Sequence, residues 1–246
     1  MAKLREAYRK GGVPAVLSGV RRRLVLRAFE ALKTPFHRGT VPEPSHAVFQ
    51  RFVDEVNALS RPRLLEVGSR ARSGTVQRQR FPHAEYVGFD VMPGENVEVV
   101  GDAHELSRHF PAEHFDAAFA VSVFEHLAMP WKVVLELNRV LRPGGVVCIF
   151  THPAYPPHDR PWDFWRYNPE AFEVLFSGPS GFELVACAEG LPCSIVPLVS
   201  EPALVGLWRE PAFLAVAALA RKRRAPDPGL RWDVSLGDVL TSRYPR

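Results

Sequence analysis

The stretch from Arg63 to Thr151 constrains the fold more than any other part of the chain. It reads, in order, RLLEVGS, YVGFDV, GDAHEL, FDAAFAVSVFEH and LRPGGVVCIFT. Each piece is an apolar run that closes on a small or acidic residue, and helix-like segments separate the pieces. Such alternation argues for a parallel α/β sheet. In an open sheet of this kind ligands gather beyond the carboxyl ends of the strands. Gly68, Asp90, Asp102 and Ser122 all fall at such ends, so one ligand can touch several of them.

The spacing narrows the ligand. Asp90 follows Gly68 by roughly 20 residues, the distance at which an acidic side chain meets ribose hydroxyls in a nucleoside-binding βαβ unit. A carboxylate that accepts two hydroxyl hydrogens suits a vicinal diol. The phosphate signal is poor. A dinucleotide fingerprint needs G-x-G-x-x-G, and here Gly68 is followed by Ser69, Arg70, Ala71, Arg72, Ser73 and Gly74. A nucleoside without a pyrophosphate fits better, and this argues against a nicotinamide-dependent oxidoreductase. In GDAHEL, Asp102 stands where it can accept from an exocyclic amine such as that of adenine.

These motifs resemble those of class I S-adenosylmethionine-dependent methyltransferases of type 11, over about Leu64 to Arg223. The resemblance implies an α/β, Rossmann-like three-layer sandwich with a seven-stranded, mostly parallel sheet, an antiparallel last strand and extra N-terminal helices. The cofactor it implies is S-adenosyl-L-methionine. Glu66, Gly68 and Ser69 would sit beside the methionine part, Asp90 with Val91 at the ribose, and Asp102 with Ala103 at the adenine. Ser122 through His126 would line the methyl-transfer site. RPGG at Arg142 to Gly145 is the family's usual turn into the fifth strand. One departure stands out: the family commonly has E-x-G-x-G-x-G, and here Arg70 and Arg72 replace the later glycines.

The length of 246 residues suits one α/β domain with additions. We expect a basic helical extension over 1–43, the methyltransferase domain over 44–224 and a tail over 225–246. The net charge of +4 is mild and does not by itself imply nucleic acid. Cys148, Cys187 and Cys193 show no metal spacing and read as reduced thiols in a cytoplasmic protein. No secretory apolar region opens the chain. In the extension, Arg21, Arg22, Arg23 and Arg27 interleave with Leu24, Val25, Leu26 and Phe29. This pattern predicts a helix that packs on the domain or on a second copy, with peripheral contact to an anionic membrane as the alternative.

Periodicity predicts helices over Ser45–Leu59, Trp131–Leu141 and Glu170–Phe176. Strands are predicted over Arg63–Val67, Tyr86–Asp90, Val97–Val100, Phe115–Val121, Val146–Thr151 and Phe182–Ala188. Phe213–Ala220 reads as the last strand.

After the fifth strand comes HPAYPPHDRPWDFWRYNPEAF, whose prolines exclude regular structure up to Tyr167. The rings of Tyr155, Trp162 and Trp165 suit the walls of an acceptor site, and Arg166 suits an acidic or phosphorylated acceptor. The bland alternative is that these rings fix the loop to the domain. His158, His152 and His126 are candidates for a base acting on an acceptor hydroxyl, with Asp159 orienting His158. His152, His158, Asp159 and Asp163 offer mixed metal ligands, but their spacing matches no metal motif and no metal is assigned. The expected activity is O-methylation of a small-molecule or glycan acceptor, without nucleic acid. The element Asn/Asp-Pro-Pro-Tyr that holds a flipped base is absent after the fourth strand, which reads SVFEHL. The alternatives are N-methylation of a small amine and a non-catalytic cofactor-binding scaffold.

Overall fold

A computed structural model describes residues 43–233 except 72, 73, 75, 198 and 200, with scattered helical residues between 13 and 31. Most of the expected N-terminal extension and the tail beyond 233 therefore lie outside the described residues. The chain divides into two compact units, residues 1–42 with 196–208 and residues 43–195 with 209–246. The second unit carries the sheet.

Seven strands run β1 (Arg63–Val67), β2 (Glu85–Asp90), β3 (Val99–Val100), β4 (Phe115–Val121), β5 (Leu141–Thr151), β6 (Phe182–Ser194) and β7 (Pro211–Lys222). Their order across the sheet is β3-β2-β1-β4-β5-β7-β6. Neighbours from β3 to β5 pair in parallel, and β7 is antiparallel to both β5 and β6. This is the expected Rossmann-like sheet.

Side-chain alternation builds two cores, one on each face. Leu64, Phe119, Val146, Cys148, Ala217 and Leu219 share one face with helix α1 (Pro44–Asn57). Proline at its first turn starts α1, and Val48, Phe49, Phe52, Val53 and Val56 form its buried stripe. Phe52 and Val56 are fully buried, each burial worth about 1.5–3 kcal/mol. Leu65, Val67, Ala118, Ala120, Val147 and Ile149 face the other way, toward helices α2 (Pro130–Val140) and α3 (Pro169–Leu175). Asn168 caps α3 by accepting from Ala171 N–H.

Three boundaries differ from the sequence reading. β5 begins at Leu141, directly after α2, and carries RPGG inside it beside a register shift at Phe115/Ala117. β3 is only two residues long. β6 continues past Ala188 to Ser194 through Pro192. Proline is tolerated there because β6 is an edge strand with one unpaired side. Residues beyond 224 also make contacts with the sheet unit. The Asp227 N–H donates to the Pro179 carbonyl, and the Asp233 carboxylate pairs with Lys132 (2.5 Å) and Arg139 (2.6 Å) of α2.

Candidate active site

β1, β2 and β4 lie side by side and deliver Gly68, Asp90 and Ser122 to one edge of the sheet. Gly68 turns the chain at φ +78, and its N–H donates to the Phe89 carbonyl at 2.7 Å. A Cβ at Gly68 would lie 2.1 Å from Cγ2 of Val123, so only glycine passes this point. The Asp90 carboxylate accepts the backbone N–H of Arg70 (3.2 Å) and of Met92 (2.9 Å). With about four lone-pair sites on a carboxylate, room remains for a diol.

Arg70 stands where a glycine is common in the family. Gly94 makes this tolerable: a Cβ there would meet the Arg70 Cγ at 2.8 Å, so the arginine stem fills the space a side chain would take. The Arg70 Nε is buried without a hydrogen-bond partner, 3.9 Å from Asp90 Oδ1, and the Ser69 Oγ is likewise buried and unpartnered. Both are polar atoms left unsatisfied at the start of the loop after β1.

Glu66 lies under this loop. It is 6% exposed and accepts from the Tyr86 hydroxyl and from Asn96 Nδ2 (2.8 Å). Burial pushes its carboxyl up to about 7, against these hydrogen bonds. Asn96 also donates to the Ser69 carbonyl (2.9 Å), so Glu66 holds the loop through Asn96. Asp102 caps a short 3-10 turn, Ala103–Arg108, and its Oδ1 accepts from both the backbone N–H and the ring Nδ1 of His104. His104 Nε2 accepts in turn from the Met129 N–H (3.2 Å).

At the ends of β4 and β5 a second cluster forms. Ser122 holds a left-handed backbone (φ +54), a conformation that costs on the order of 1–3 kcal/mol at a non-glycine residue. Its Oγ is 3.2 Å from His152 Nε2, while His152 Nδ1 donates to the Leu214 carbonyl at 2.8 Å. That contact fixes the tautomer and leaves the lone pair on Nε2. Glu125 is fully buried. One oxygen accepts from Thr151 Oγ1 (2.6 Å), and the other, Oε1, has no hydrogen-bond partner. His152 Nε2 and His126 Nε2 lie 3.5 and 3.9 Å from that orphan oxygen. His126 Nδ1 donates to the Trp162 carbonyl, and His158 Nδ1 to the Pro156 carbonyl (3.1 Å). The rings of His126 and His158 meet edge to face with centroids 4.8 Å apart. Tyr155, 47% exposed, stacks on His152 at 4.4 Å and roofs the cluster.

In fold the chain is similar to solved structures that share little sequence with it. A SAM-dependent methyltransferase from Archaeoglobus fulgidus superposes with a TM-score of 0.54 at 16% identity, covering 72% of this chain and 92% of that one. The YcgJ protein from Bacillus subtilis gives 0.52 at 18% identity, covering 73% of this chain and 99% of that one. Those likenesses carry the fold alone. In sequence, residues 65–149 match the family model of a type 11 methyltransferase domain. That match covers about a third of the chain. A human protein, thiol S-methyltransferase TMT1B, is 34% identical over 74 residues, which is 30% of this chain and 26% of that protein. The chain thus spans about a quarter of the length of that relative.

The sheet brings the expected cofactor residues Gly68, Ser69, Asp90, Val91, Asp102, Ala103 and Ser122 to its carboxyl edge, with Glu66 beneath. The loop after β5 is clamped onto residues 124–127. Phe164 and Trp165 N–H donate to the Glu125 carbonyl (2.8 and 3.2 Å), the Trp165 indole to the Leu127 carbonyl (2.8 Å) and the Tyr167 hydroxyl to the Phe124 carbonyl (2.9 Å). Trp162 is 7% exposed and packs against Phe164, and Trp165 meets Trp131 edge to face. These two tryptophans fix the loop, and Tyr155 is the ring that faces the histidines. The Arg166 guanidinium grips both oxygens of Asp163 (2.6 and 2.9 Å) and the Tyr155 carbonyl, so it braces the loop from within. This partner holds the Asp163 carboxyl well below the usual carboxylate range. Asp163, through the His158 N–H (2.9 Å), also positions His158. Asp159 turns the chain at φ +49, and its carbonyl accepts from Trp162 N–H.

Sequence reasoning missed Glu125 as the centre of the cluster. The available signal was a carboxylate in the apolar run FAVSVFEHL, next to a histidine. Asn96 and His104, which orient Glu66 and Asp102, carried no signal of their own.

Proposed function

We propose that the chain transfers the methyl group of S-adenosylmethionine to a hydroxyl of a small molecule or glycan. The observation that carries this reading is the cluster beyond β4 and β5, where Tyr155 stacks on His152 and the His126 and His158 rings meet, at the sheet edge that also carries Asp90 and Ser122. Bound S-adenosylmethionine supplies an electrophilic methyl on a sulfonium and a thioether leaving group. Asp90 holds the ribose diol, with Val91 beside it. Asp102 Oδ2 accepts from the adenine amine, and Ala103 frames the ring. Gly68 and Ser69 approach the methionine part. His152 Nε2 accepts the acceptor's hydroxyl hydrogen, and the proton leaves from that position as the oxygen–carbon bond forms. Fixing that oxygen in line with the methyl supplies several kcal/mol of the rate enhancement, out of the roughly 7–11 kcal/mol that orientation can give. Tyr155 packs on the face of the acceptor.

Three unpaired cysteines support a cytoplasmic setting, and no helix among the described residues is long and apolar enough to cross a membrane.

The test is calorimetry with S-adenosylhomocysteine, followed by a methyl-transfer screen over sugars, glycolipid precursors and small phenols. Asp90→Ala should abolish binding of the product, while His152→Ala should keep it and lower turnover. Binding unchanged in Asp90→Ala would sink the assignment of the crevice. Transfer to amines or thiols alone would replace the hydroxyl as the acceptor.

A further inference from the structure

We propose that Glu125, His126 and His158 form a seat for one divalent transition-metal ion of the zinc class. One ligand atom from each of the three lies within 4.8 Å of the others. A tetrahedral zinc site with bonds of about 2.0–2.1 Å places its ligand atoms roughly 3.4 Å apart, so a small inward turn of the rings closes the set.

Three independent features point to a cation here rather than to a hydrogen-bonded cluster. First, Oε1 of Glu125 is buried and has no hydrogen-bond partner, although its carboxylate is anchored by Thr151 through Oε2. A buried carboxylate oxygen left bare costs several kcal/mol unless something neutralises it. Second, each histidine of the set donates Nδ1–H to a main-chain carbonyl, His126 to Trp162 and His158 to Pro156. This is the outer-shell arrangement that turns an imidazole's Nε2 lone pair toward a metal and fixes its orientation. Third, the set contains two imidazoles and one carboxylate. Two histidines and one glutamate with an open position are a donor set of catalytic zinc, and the same composition suits other first-row ions. Magnesium prefers all-oxygen surroundings and fits poorly.

The ligands come from different segments. Glu125 and His126 follow β4, and His158 belongs to the loop after β5. The clamp that carries the Trp162 carbonyl onto His126 brings the third ligand with it, so the seat exists only when the loop is docked. His152 stays outside the set, with Nε2 3.5 Å from Glu125 Oε1 and 3.2 Å from the Ser122 Oγ. A metal at this point would use its open position on a polar atom of the acceptor, next to the hydroxyl held by His152. Placing it beside the acceptor rests on the methyl-transfer reading above; occupancy of the seat does not.

The test uses the untagged chain, stripped with a chelator and titrated with Zn2+, Co2+ and Mg2+. One equivalent of Zn2+ should bind, Co2+ should give a visible absorption band, and Mg2+ should give neither heat nor protection against zinc. His158→Ala, a loop variant, should weaken Zn2+ on the order of 100-fold and lose the Co2+ band, while S-adenosylhomocysteine still binds. His114→Ala, away from the seat, should leave the metal stoichiometry at one. If His158→Ala fails to fold by circular dichroism, His126→Gln takes its place. Absence of zinc and cobalt binding in a chain that still binds S-adenosylhomocysteine would overturn the seat and leave the methyl-transfer reading intact. Preference for Mg2+ would equally overturn it. Stoichiometric zinc in a chain that methylates no hydroxyl would leave the seat standing and sink the proposed acceptor.

Discussion

At the scale of single residues, the site depends on positions where a side chain would collide. Gly68 is the plainest case. It combines a left-handed backbone with a neighbour, Val123, placed where any Cβ must go. Gly68→Ala should therefore cost about 1–2 kcal/mol for the backbone alone, before the displacement of Val123. The displaced residue follows Ser122, so the damage passes from the loop after β1 to the end of β4. We expect S-adenosylhomocysteine affinity to fall at least tenfold by calorimetry, with a smaller loss in Tm than a core truncation such as Phe52→Ala. Unchanged affinity would mean that the loop can shift without loss of its ligand. The alanine variant of Gly74 is the natural control, since open space surrounds a Cβ there, although its own φ of +73 adds strain. Much of this was legible beforehand. Gly68, Asp90, Asp102 and Ser122 follow apolar runs and announce themselves by position. Arg70 did not: its fit depends on Gly94, 24 residues on, and no local pattern links the two.

At the scale of elements, the loop between β5 and α3 behaves as a docked lid rather than as a wall. Its prolines excluded regular structure correctly, and its aromatic content was plain, but which rings serve which side was not. Orientation is set by carbonyls of residues 124–127, and main-chain acceptors carry no residue-specific signal. Trp165 separates the two roles. Trp165→Phe keeps the ring against Trp131 and deletes the indole hydrogen bond to the Leu127 carbonyl, worth about 1 kcal/mol. The fold and cofactor affinity should persist, while limited proteolysis within 153–166 speeds up about fivefold, the factor that about 1 kcal/mol gives when opening precedes cleavage. Tyr155→Ala should instead leave proteolysis nearly unchanged and raise the KM for the acceptor. If the two variants behave alike, the separation between anchor and wall fails. Elsewhere the elements followed the period of the sequence closely, as in β1 and β4. They departed where tertiary pairing overrides propensity, as in β6, whose continuation through Pro192 is permitted only by its place at the sheet edge.

At the scale of the whole molecule, carboxyl groups with shifted titration give the stability curve a definite shape with pH. Glu66 lies between the sheet and the loop, and burial raises it from an ordinary 4.5 to about 7. Below pH 4.5 the group is neutral both folded and unfolded and costs nothing. Between 4.5 and 7 the unfolded chain releases the proton and the folded chain keeps it, so stability falls as pH rises. Above 7 the full burial cost is present, up to about 3 kcal/mol at about 1.4 kcal/mol per pH unit. Asp163 and Asp233 act in the opposite sense. Arg166 lowers the first, and Lys132 with Arg139 lowers the second. Asp102 is also lowered, because His104 outweighs its burial. These three stabilise the fold above about pH 4, near the unfolded value for aspartate, and that support is lost as pH falls below it. Together the four groups place their best balance on the acid side of neutrality, between the loss of the aspartate pairs and the ionisation of Glu66. Glu66→Gln isolates one arm of the curve. The amide keeps an acceptor for Tyr86 and Asn96 and carries no charge, so Tm should stop declining between pH 4.5 and 7 while the acid limb is unchanged. A variant that declines in parallel with the parent chain would show that Glu66 is solvated in the folded state.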